Sequence, residues 1–251
     1  MIDTHCHLYD KAFEDDLEAV INRAKNANIS KIFMPSTHSK SIHRMLALQK
    51  KYPDFLWVMA GLHPIYVKEN VAEQLVAVKS FLDKGGFVAV GEIGIDLYRE
   101  KKFLPQQQKA FKTQIGWAKS KNLPINIHCR SAFEETFEIL DEENTNGIFH
   151  CFTGNLRQAK KIVETYGLKI GIGGIVTFKN GGLDKFLREI PLTEIVLETD
   201  APYLSPQPYR GKRNEPAYTA IIAEKLAQIY ECSLETVIKT TTQNALKIFN
   251  P

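Results

Sequence analysis

Short apolar segments alternate with longer amphipathic segments along almost the whole chain, and this alternation constrains the fold more than any other feature of the sequence. The apolar segments are rich in Val, Ile and Phe. Several are apolar nearly throughout, as strands buried on both faces of a parallel sheet tend to be. We therefore predict eight strands, which cover residues 2–7, 31–36, 56–63, 87–94, 124–130, 147–152, 168–174 and 194–200.

The amphipathic segments have helical spacing, and several end at Gly or Asn, as helix C-termini often do. The predicted helices cover residues 15–27, 41–52, 72–85, 105–122, 131–143, 155–167 and 183–190, followed after a Pro-rich loop (201–216) by 217–230 and 233–249. Eight strand–helix units in 251 residues predict an α/β protein with a (β/α)8 TIM barrel. The alternative is an open doubly wound sheet, which normally has fewer strands. No linker or composition shift divides the chain, so we expect one domain over 1–251.

The composition excludes several classes of protein. With 44% hydrophobic and 24% charged residues, the chain is neither mainly disordered nor collagen-like. The 32 Lys and Arg residues nearly balance the 29 Asp and Glu residues, which excludes a broad basic surface but allows a local basic rim. No apolar run approaches the ~20 residues of a membrane helix, and the N-terminus lacks a signal-peptide pattern. We therefore expect a cytoplasmic protein that does not enter a membrane.

The four cysteines have no C-x-x-C spacing, so disulfides are not expected. Cys6, Cys129 and Cys151 each adjoin a histidine on a predicted strand. Neighbouring side chains of a strand face opposite ways. We therefore expect these cysteines to be free and packed on the outer side of the sheet.

Residue types that bind metals accumulate at the C-terminal ends of the predicted strands, which form the active-site face of a barrel. They are His5, His7, His63, Glu92, His128, His150, Glu198 and Asp200. Buried imidazoles and carboxylates are costly without partners, so their presence at one end favours a shared metal site. His43, on a predicted helix, is expected to be exposed to solvent, and His38, in a loop, is a weaker candidate for substrate contact.

The two-residue repeat of a strand sharpens this prediction. It places Val88, Val90 and Glu92 on one face, and it does the same for three other sets: His5 with His7, Glu198 with Asp200, and Asn126 with His128 and Arg130. The number of ligands suggests two divalent ions (Mg²⁺, Mn²⁺ or Zn²⁺). The first would be held by His5, His7, Glu92 and Asp200, and the second by His128 and His150 with Glu92 bridging.

Two carboxylates are predicted to act in catalysis. A pair of metal ions can activate a shared water as the nucleophile. An ionised carboxylate beside that water could accept its proton, and Asp200 is the best placed. Glu92 is the predicted bridge between the ions.

Several side chains are candidates for binding a phosphate-containing substrate. His63 and Arg130 lie at the same strand ends as the metal ligands, and the loop after Asp200 contains Arg210, Lys212 and Arg213. Arginine forks match phosphate oxygens, and lysine acts as a point charge. A solvated basic loop is an equally good interpretation of the three cations alone. Stacking on bases is a possible role for Tyr98, Tyr203 and Tyr209, although ordinary packing explains each equally well.

Seven motifs give the chain a family resemblance. They are DTHCHL (3–8), GLHP (61–64), GEIGID (91–96), IHCR (127–130), HCFTG (150–154), ETDAPYL (198–204) and RGKRNEP (210–216). In this order they resemble the TatD family of metal-dependent deoxyribonucleases, a branch of the amidohydrolase-like barrels. The resemblance implies a divalent metal centre and hydrolysis of phosphodiester bonds in DNA. It implies the metal ligands His5, His7, Glu92, His128, His150 and Asp200.

Three functions are compatible with these features. The first is a metal-dependent deoxyribonuclease that removes nucleotides from DNA ends, with DNA as partner and no protein partner predicted. The second is a metal-dependent amidohydrolase or esterase acting on a small molecule or aminoacyl-tRNA. A lysine at the end of the fourth strand would favour that branch, but Glu92 stands there. The third is a catalytically silent nucleic-acid-binding protein, against which the complete set of ligands argues.

Overall fold

Eight parallel strands form the centre of the protein, in the order in which they occur along the chain. The computed structural model describes residues 1–98 and 100–250. The strands are β1 (Ile2–Asp3), β2 (Lys31–Pro35), β3 (Leu56–Ala60), β4 (Ala89–Asp96), β5 (Ile125–Arg130), β6 (Gly147–Phe149), β7 (Lys169–Ile172) and β8 (Ile195–Leu197). The predicted (β/α)8 barrel is confirmed.

Backbone hydrogen bonds between the segments that follow β1 and β8 close the sheet. The amide of Thr4 donates to the Leu197 carbonyl at 3.0 Å, and the amide of Asp200 donates to the His5 carbonyl at 2.9 Å. The amide of His7 then donates to Ala201 at 2.8 Å. These bonds bring the two ends of the strand order together, and they do so at the residues predicted to bind metal.

Helices cover the outside of the sheet. They are α1 (Leu17–Asn26), α2 (Ser39–Lys51), α3 (Val71–Leu82), α4 (Leu104–Lys121), α5 (Phe133–Leu140), α6 (Leu156–Lys160, continued by a π-helical turn), α7 (Thr219–Tyr230) and α8 (Leu234–Phe249). Within residues 1–98 and 100–250, no helix combines the length and the apolar character needed to cross a bilayer.

The predicted helix at 183–190 is wrong, because two short 3-10 turns, Leu183–Lys185 and Leu187–Glu189, occupy this segment. The buried side chains of Leu183, Leu187 and Ile190 have helical spacing, which explains the prediction. However, Gly182 precedes the segment with a φ of 73°, and Pro191 follows it. A segment this short gains too few helical hydrogen bonds to offset the cost of starting a helix.

Apolar side chains fill the end of the barrel where the strands begin. A cluster there combines strand residues with the end of α8: Ile2, Phe33, Met59, Ala89, Ile148, Val196, Ala245, Ile248 and Phe249. The rings of Phe33 and Phe249 stack with centroids 4.1 Å apart. Asn244 fastens α8 to the barrel by donating to the carbonyls of Leu192 and Ile195. This end is therefore closed, and ligands can enter only at the other end.

A register shift between Gly91 and Ile93 interrupts the alternation of β4. The prediction that Val90 and Glu92 share a face is wrong, because Val90 packs in the cluster that includes the helices while Glu92 contacts the histidines. Ala89, which precedes Val90, lies in the cluster inside the barrel. A bulge inserts one extra residue and re-aims the side chain. The bulge therefore turns Glu92 into the barrel.

Two glycine substitutions test how closely β6 approaches β5. At Gly147, which has a φ of 153°, an added Cβ would lie 2.0 Å from the Ile125 carbonyl oxygen. We expect Gly147→Ala to lower the free energy of unfolding by about 3 kcal/mol through overlap and backbone strain. Gly116 lies inside α4 with open space around it, so Gly116→Ala should raise the free energy by about 0.8 kcal/mol. Urea denaturation measures both; equal effects would contradict the close approach of β6 to β5.

Candidate metal centre

The Glu92 carboxylate lies at the centre of a cluster of imidazoles and carboxylates at the C-terminal end of the barrel. All six predicted metal ligands meet there: His5, His7, Glu92, His128, His150 and Asp200. His63 joins them from the segment after β3. The cluster has two halves, one at each oxygen of Glu92.

The half at Oε2 of Glu92 contains His5, His7 and Asp200. Oε2 lies 3.4 Å from Nε2 of His5 and 3.6 Å from Nε2 of His7. Oδ1 of Asp200 lies 3.6 Å and 3.4 Å from the same two nitrogens, which are 3.2 Å apart. The ligand atoms of the three residues are close enough to share one ion.

The half at Oε1 of Glu92 contains three imidazoles. Oε1 lies 2.8 Å from Nδ1 of His128, 2.9 Å from Nε2 of His150 and 3.1 Å from Nε2 of His63. The His150 ring also stacks on the His5 ring of the other half, with centroids 3.8 Å apart. The two halves are therefore in direct contact, with one carboxylate between them.

Hydrogen bonds to the ring nitrogens that face away from the cluster orient the histidines. Nδ1 of His5 bonds Oδ1 of Asn126 at 2.8 Å. Nδ1 of His7 bonds the Tyr9 hydroxyl at 2.8 Å, and that hydroxyl donates to the Pro35 carbonyl. Because both partners act as acceptors, each ring carries its proton on Nδ1 and directs the lone pair of Nε2 into the cluster.

In the other half, His128 has the same arrangement, with a carboxylate as the acceptor. Nε2 of His128 lies 3.1 Å from Oδ2 of Asp96, which leaves Nδ1 free to face Glu92. Nδ1 of His150 lies 3.5 Å from Oε1 of Glu198 but forms no hydrogen bond with it. Carboxylates and carbonyls that accept from the far nitrogen are the usual partners of histidines that bind metal.

The cluster fits a divalent cation. The Nε2 atoms of His5 and His7, each with a lone pair, lie 3.2 Å apart. In the other half, Nδ1 of His128 and Nε2 of His150 face each other in the same way at 3.3 Å. Two lone pairs that face each other in this way repel unless a cation lies between them. Neutral imidazoles with carboxylates suit Zn²⁺ or Mn²⁺, and carboxylates with water suit Mg²⁺.

His63 differs from the other histidines. Its Nδ1 accepts the amide hydrogen of Ile65 at 3.0 Å, so the neutral ring carries its proton on Nε2. Burial lowers the pKa of His63 to about 4, which keeps the ring neutral. The Nε2 hydrogen therefore points at Glu92 and the cavity, and His63 is a hydrogen-bond donor rather than a ligand in this arrangement.

The backbone at the ends of two strands is adapted to the site. Asp200 has a φ of 57° and Cys151 a φ of 45°, in the left-handed region that residues other than glycine rarely adopt. The amide of Cys151 donates to Oε1 of Glu198 at 2.6 Å. Contrary to the expectation of outer packing, Cys151 lines the cavity above the cluster. Cys6 is free and buried in the outer core as expected, and Cys129 is free and packs in the same core but also lines the cavity.

A cavity of about 650 Å³ opens above the cluster. Its wall includes Arg130, Tyr203 and Ile175 beside the metal-ligand candidates. The Arg130 guanidinium stacks on the Tyr98 ring, 3.8 Å from its centroid. Arg130 is exposed and thus lies at the mouth of the cavity.

The loop after β8 is organised by contacts that the sequence did not reveal. Arg213 pairs with Asp16 at 2.6 Å and donates to the Ala12 carbonyl. Asn214 is buried and donates to the carbonyls of Thr199 and Tyr203. These bonds give Arg213 and Asn214 a role in anchoring the loop.

The other two cations of this loop are exposed. The Arg210 guanidinium lies over the Phe178 ring, 4.5 Å from the centroid, and Lys212 is at the surface. Neither of them, nor Arg213, is among the residues that line the two cavities at this end of the barrel. Their contact with phosphate stays a prediction.

Sequence reasoning missed the residues that support the site. Oδ1 and Oδ2 of the buried Asp3 accept from the amide and hydroxyl of Thr199, which joins β1 to the residues after β8. Tyr9 and Asp96 were also missed as partners of histidine. Tyr9 lies two residues from His7, so the two-residue repeat was an available signal for it, whereas the partners of Asp96 and Asp3 come from distant parts of the chain.

A (β/α)8 barrel whose open end gathers imidazoles and carboxylates around one shared carboxylate defines a metal-dependent hydrolase. The family model of the TatD related DNases matches residues 2–250. The chain belongs to this family.

Several relatives match over nearly their whole length. The chain is 38% identical to the metal-dependent hydrolase YabD of Bacillus subtilis, over 99% of this chain and 98% of that protein. It is 34% identical to the 3'-5' ssDNA/RNA exonuclease TatD of Pectobacterium parmentieri, over 99% of both. The crystal structure of the TatD homologue YjjV from Escherichia coli has a TM-score of 0.94 at 31% identity, covering 100% of this chain and 98% of that one.

Removing the charge of Glu92 tests whether this cluster binds a divalent ion. We expect Glu92→Gln to weaken binding of Mn²⁺ by more than ~10-fold, because a neutral amide replaces the carboxylate that both halves share. Isothermal titration calorimetry of the metal-free protein measures this. Glu231→Gln, which removes an exposed carboxylate paired with Arg188, is the control and should bind Mn²⁺ as the unmodified protein does. Unchanged affinity in Glu92→Gln would contradict the central position of this residue.

Proposed function

We propose that the protein is a nuclease that uses two divalent ions to hydrolyse phosphodiester bonds at the ends of DNA strands. The observation that supports this most strongly is the Glu92 carboxylate with one group of ligands at each oxygen. This arrangement suits two ions that share one bridging carboxylate. The names of the relatives, an exonuclease among them, support the nucleic-acid substrate. We place the activity in the cytoplasm, as the sequence predicts.

The proposed ligands divide as the geometry does. His5, His7 and Asp200 would hold one ion with Oε2 of Glu92. His128 and His150 would hold the other with Oε1. When bound, divalent ions activate water as a nucleophile and stabilise the charge that develops on phosphoryl oxygens.

Asp200 is the proposed proton acceptor. Its carboxylate lines the cavity, and burial opposes its ionisation, but His7 and His5 outweigh this effect and lower its pKa. An ionised carboxylate that faces the cavity can take a proton from the attacking water. The chain therefore supplies the acceptor beside the place where the scissile phosphate would lie.

Other residues are proposed to hold the substrate. His63 directs an N–H group towards the cavity from Nε2, and Arg130 presents a guanidinium at the mouth. Both can donate to phosphoryl oxygens. Arg210, Lys212 and Arg213 are proposed to attract the strand from the loop after β8. The guanidinium of Arg130 on the cavity wall favours a phosphate substrate over an amide or ester.

The shape of the cavity supports attack at a strand end. The apolar cluster around Phe33 and Phe249 closes the other end of the barrel, so the cavity is blind. A blind cavity of about 650 Å³ can receive the terminal nucleotide of a strand.

Hydrolysis of end-labelled DNA tests the proposal. We expect a ladder from one end of single-stranded DNA with Mg²⁺, Mn²⁺ or Zn²⁺, and none after chelation. Asp200→Asn should reduce the rate by at least ~100-fold, the scale of general-base catalysis. His43→Ala is the control, because His43 is exposed on α2 and packs against Phe81, and it should hydrolyse DNA at the normal rate. Hydrolysis of a chromogenic ester or amide without cleavage of DNA would overturn the proposal.

A further inference from the structure

A second cavity of about 300 Å³ adjoins the metal cavity. We call it the side groove. It shares His7, Thr37, Tyr66 and Tyr203 with the metal cavity, so the two form one continuous surface. The remaining wall comes from residues 9–11, after β1, and from the first half of α2. The side groove is therefore a path that leads away from the metal ligands.

Exposed aromatic rings line this path. Tyr66 stacks on His38, with centroids 4.5 Å apart and planes at 16°, and 42% of Tyr66 is exposed. Tyr203 is 52% exposed and lies edge-on to His7, one of the proposed ligands. Core packing does not explain large rings held in place with an open face. Such rings are platforms on which nucleic-acid bases stack.

Positive charges lie beside the rings. Lys11 and Lys40 are exposed on the wall of the side groove, and among the described residues neither has a carboxylate oxygen within 4.0 Å. Arg44 is also on the wall but pairs with Glu14. Asp10, the acidic residue on this wall, accepts the amide hydrogen of Ala12 with one carboxylate oxygen. Two ammonium groups are therefore available to an anion.

We propose that the side groove binds the next nucleotide of a single strand whose end lies at the metals, an inference that rests on the proposed nuclease function. The base stacks on Tyr66, and the backbone phosphate lies between Lys11 and Lys40. Only an unpaired base can leave its neighbours and lie flat on a protein ring. The site therefore selects single strands and reads no sequence, because each base has a face that stacks.

Binding of a hydrolysis-resistant strand tests this proposal. The probe is a fluorescein-labelled oligothymidylate with phosphorothioate linkages, added to the Mn²⁺-loaded protein and followed by fluorescence anisotropy. We expect Lys11→Ala with Lys40→Ala to raise Kd at least ~10-fold and to reduce the slope of log K against log salt by about 1.4, since each contact with a single strand contributes ~0.7.

The control removes two lysines at the opposite end of the molecule. Lys50 lies at the C-terminal end of α2, about 15 Å along the helix from Lys40. Lys247 lies near the end of α8 that closes the barrel. Lys50→Ala with Lys247→Ala changes the net charge equally, and we expect Kd to stay within about twofold of the unmodified protein. If both double variants raise Kd equally, the effect reflects net charge alone, and the proposed site is contradicted.

A pair of substitutions at Tyr66 tests the stacking. Tyr66→Ala removes the ring and should raise Kd about 10-fold, whereas Tyr66→Phe keeps the ring and should bind as the unmodified protein does. Circular dichroism confirms that each variant is folded. Equal binding by Tyr66→Ala and Tyr66→Phe would overturn the role of the ring.

Cleavage of the unmodified oligothymidylate separates this inference from the proposed function. If the protein binds the strand through Lys11, Lys40 and Tyr66 but does not cleave it, the proposal for the side groove is supported and the nuclease proposal is contradicted. If the protein cleaves the strand while the groove variants bind it normally, the nuclease proposal is supported and the proposal for the side groove is contradicted. Failure of the unmodified protein to bind the strand would overturn both.

Discussion

One carboxylate shared between two groups of imidazoles is the interaction on which the open end of the barrel depends. Glu92 is buried, and each of its oxygens lies close to histidine nitrogens from different strands. A buried anion is stable only when cations or donors surround it; the N–H group of His63 is one donor, and a divalent ion between the imidazole lone pairs would supply the positive charge. The histidines that follow β1, β3 and β6, and His128 within β5, must therefore point inward together. The bulge in β4 is needed because regular alternation would direct Glu92 away from them.

The barrel combines two ends of opposite character. Apolar side chains and the last turn of α8 fill one end, and they exclude water there. At the other end, Asp3 accepts hydrogen bonds from Thr199 and so aligns the residues around His5 with those around Asp200. The packed end supplies stability, because each buried large apolar side chain contributes about 1.5–3 kcal/mol. The open end can then hold polar groups in positions that folding alone would not favour.

Much of this architecture could be predicted from the sequence, because apolar strands and strand-end histidines are local patterns. The eight strands and the convergence of the six ligand candidates follow from them. The helix at 183–190 could not be corrected in advance, since it failed through Gly182 and Pro191, whose effect depends on the surrounding fold. The inward position of Glu92 was predicted from an alternation that the bulge breaks. Asp96 and Thr199 act through partners on other strands, and no local pattern reveals such pairs.

Anomalous diffraction from crystals grown with Mn²⁺ tests the central claim most directly. Two peaks are expected, one on each side of the Glu92 carboxylate. One peak should be contacted by His5, His7 and Asp200, and the other by His128 and His150. Ions bound elsewhere in the cavity, with Glu92 in contact with neither, would contradict this claim.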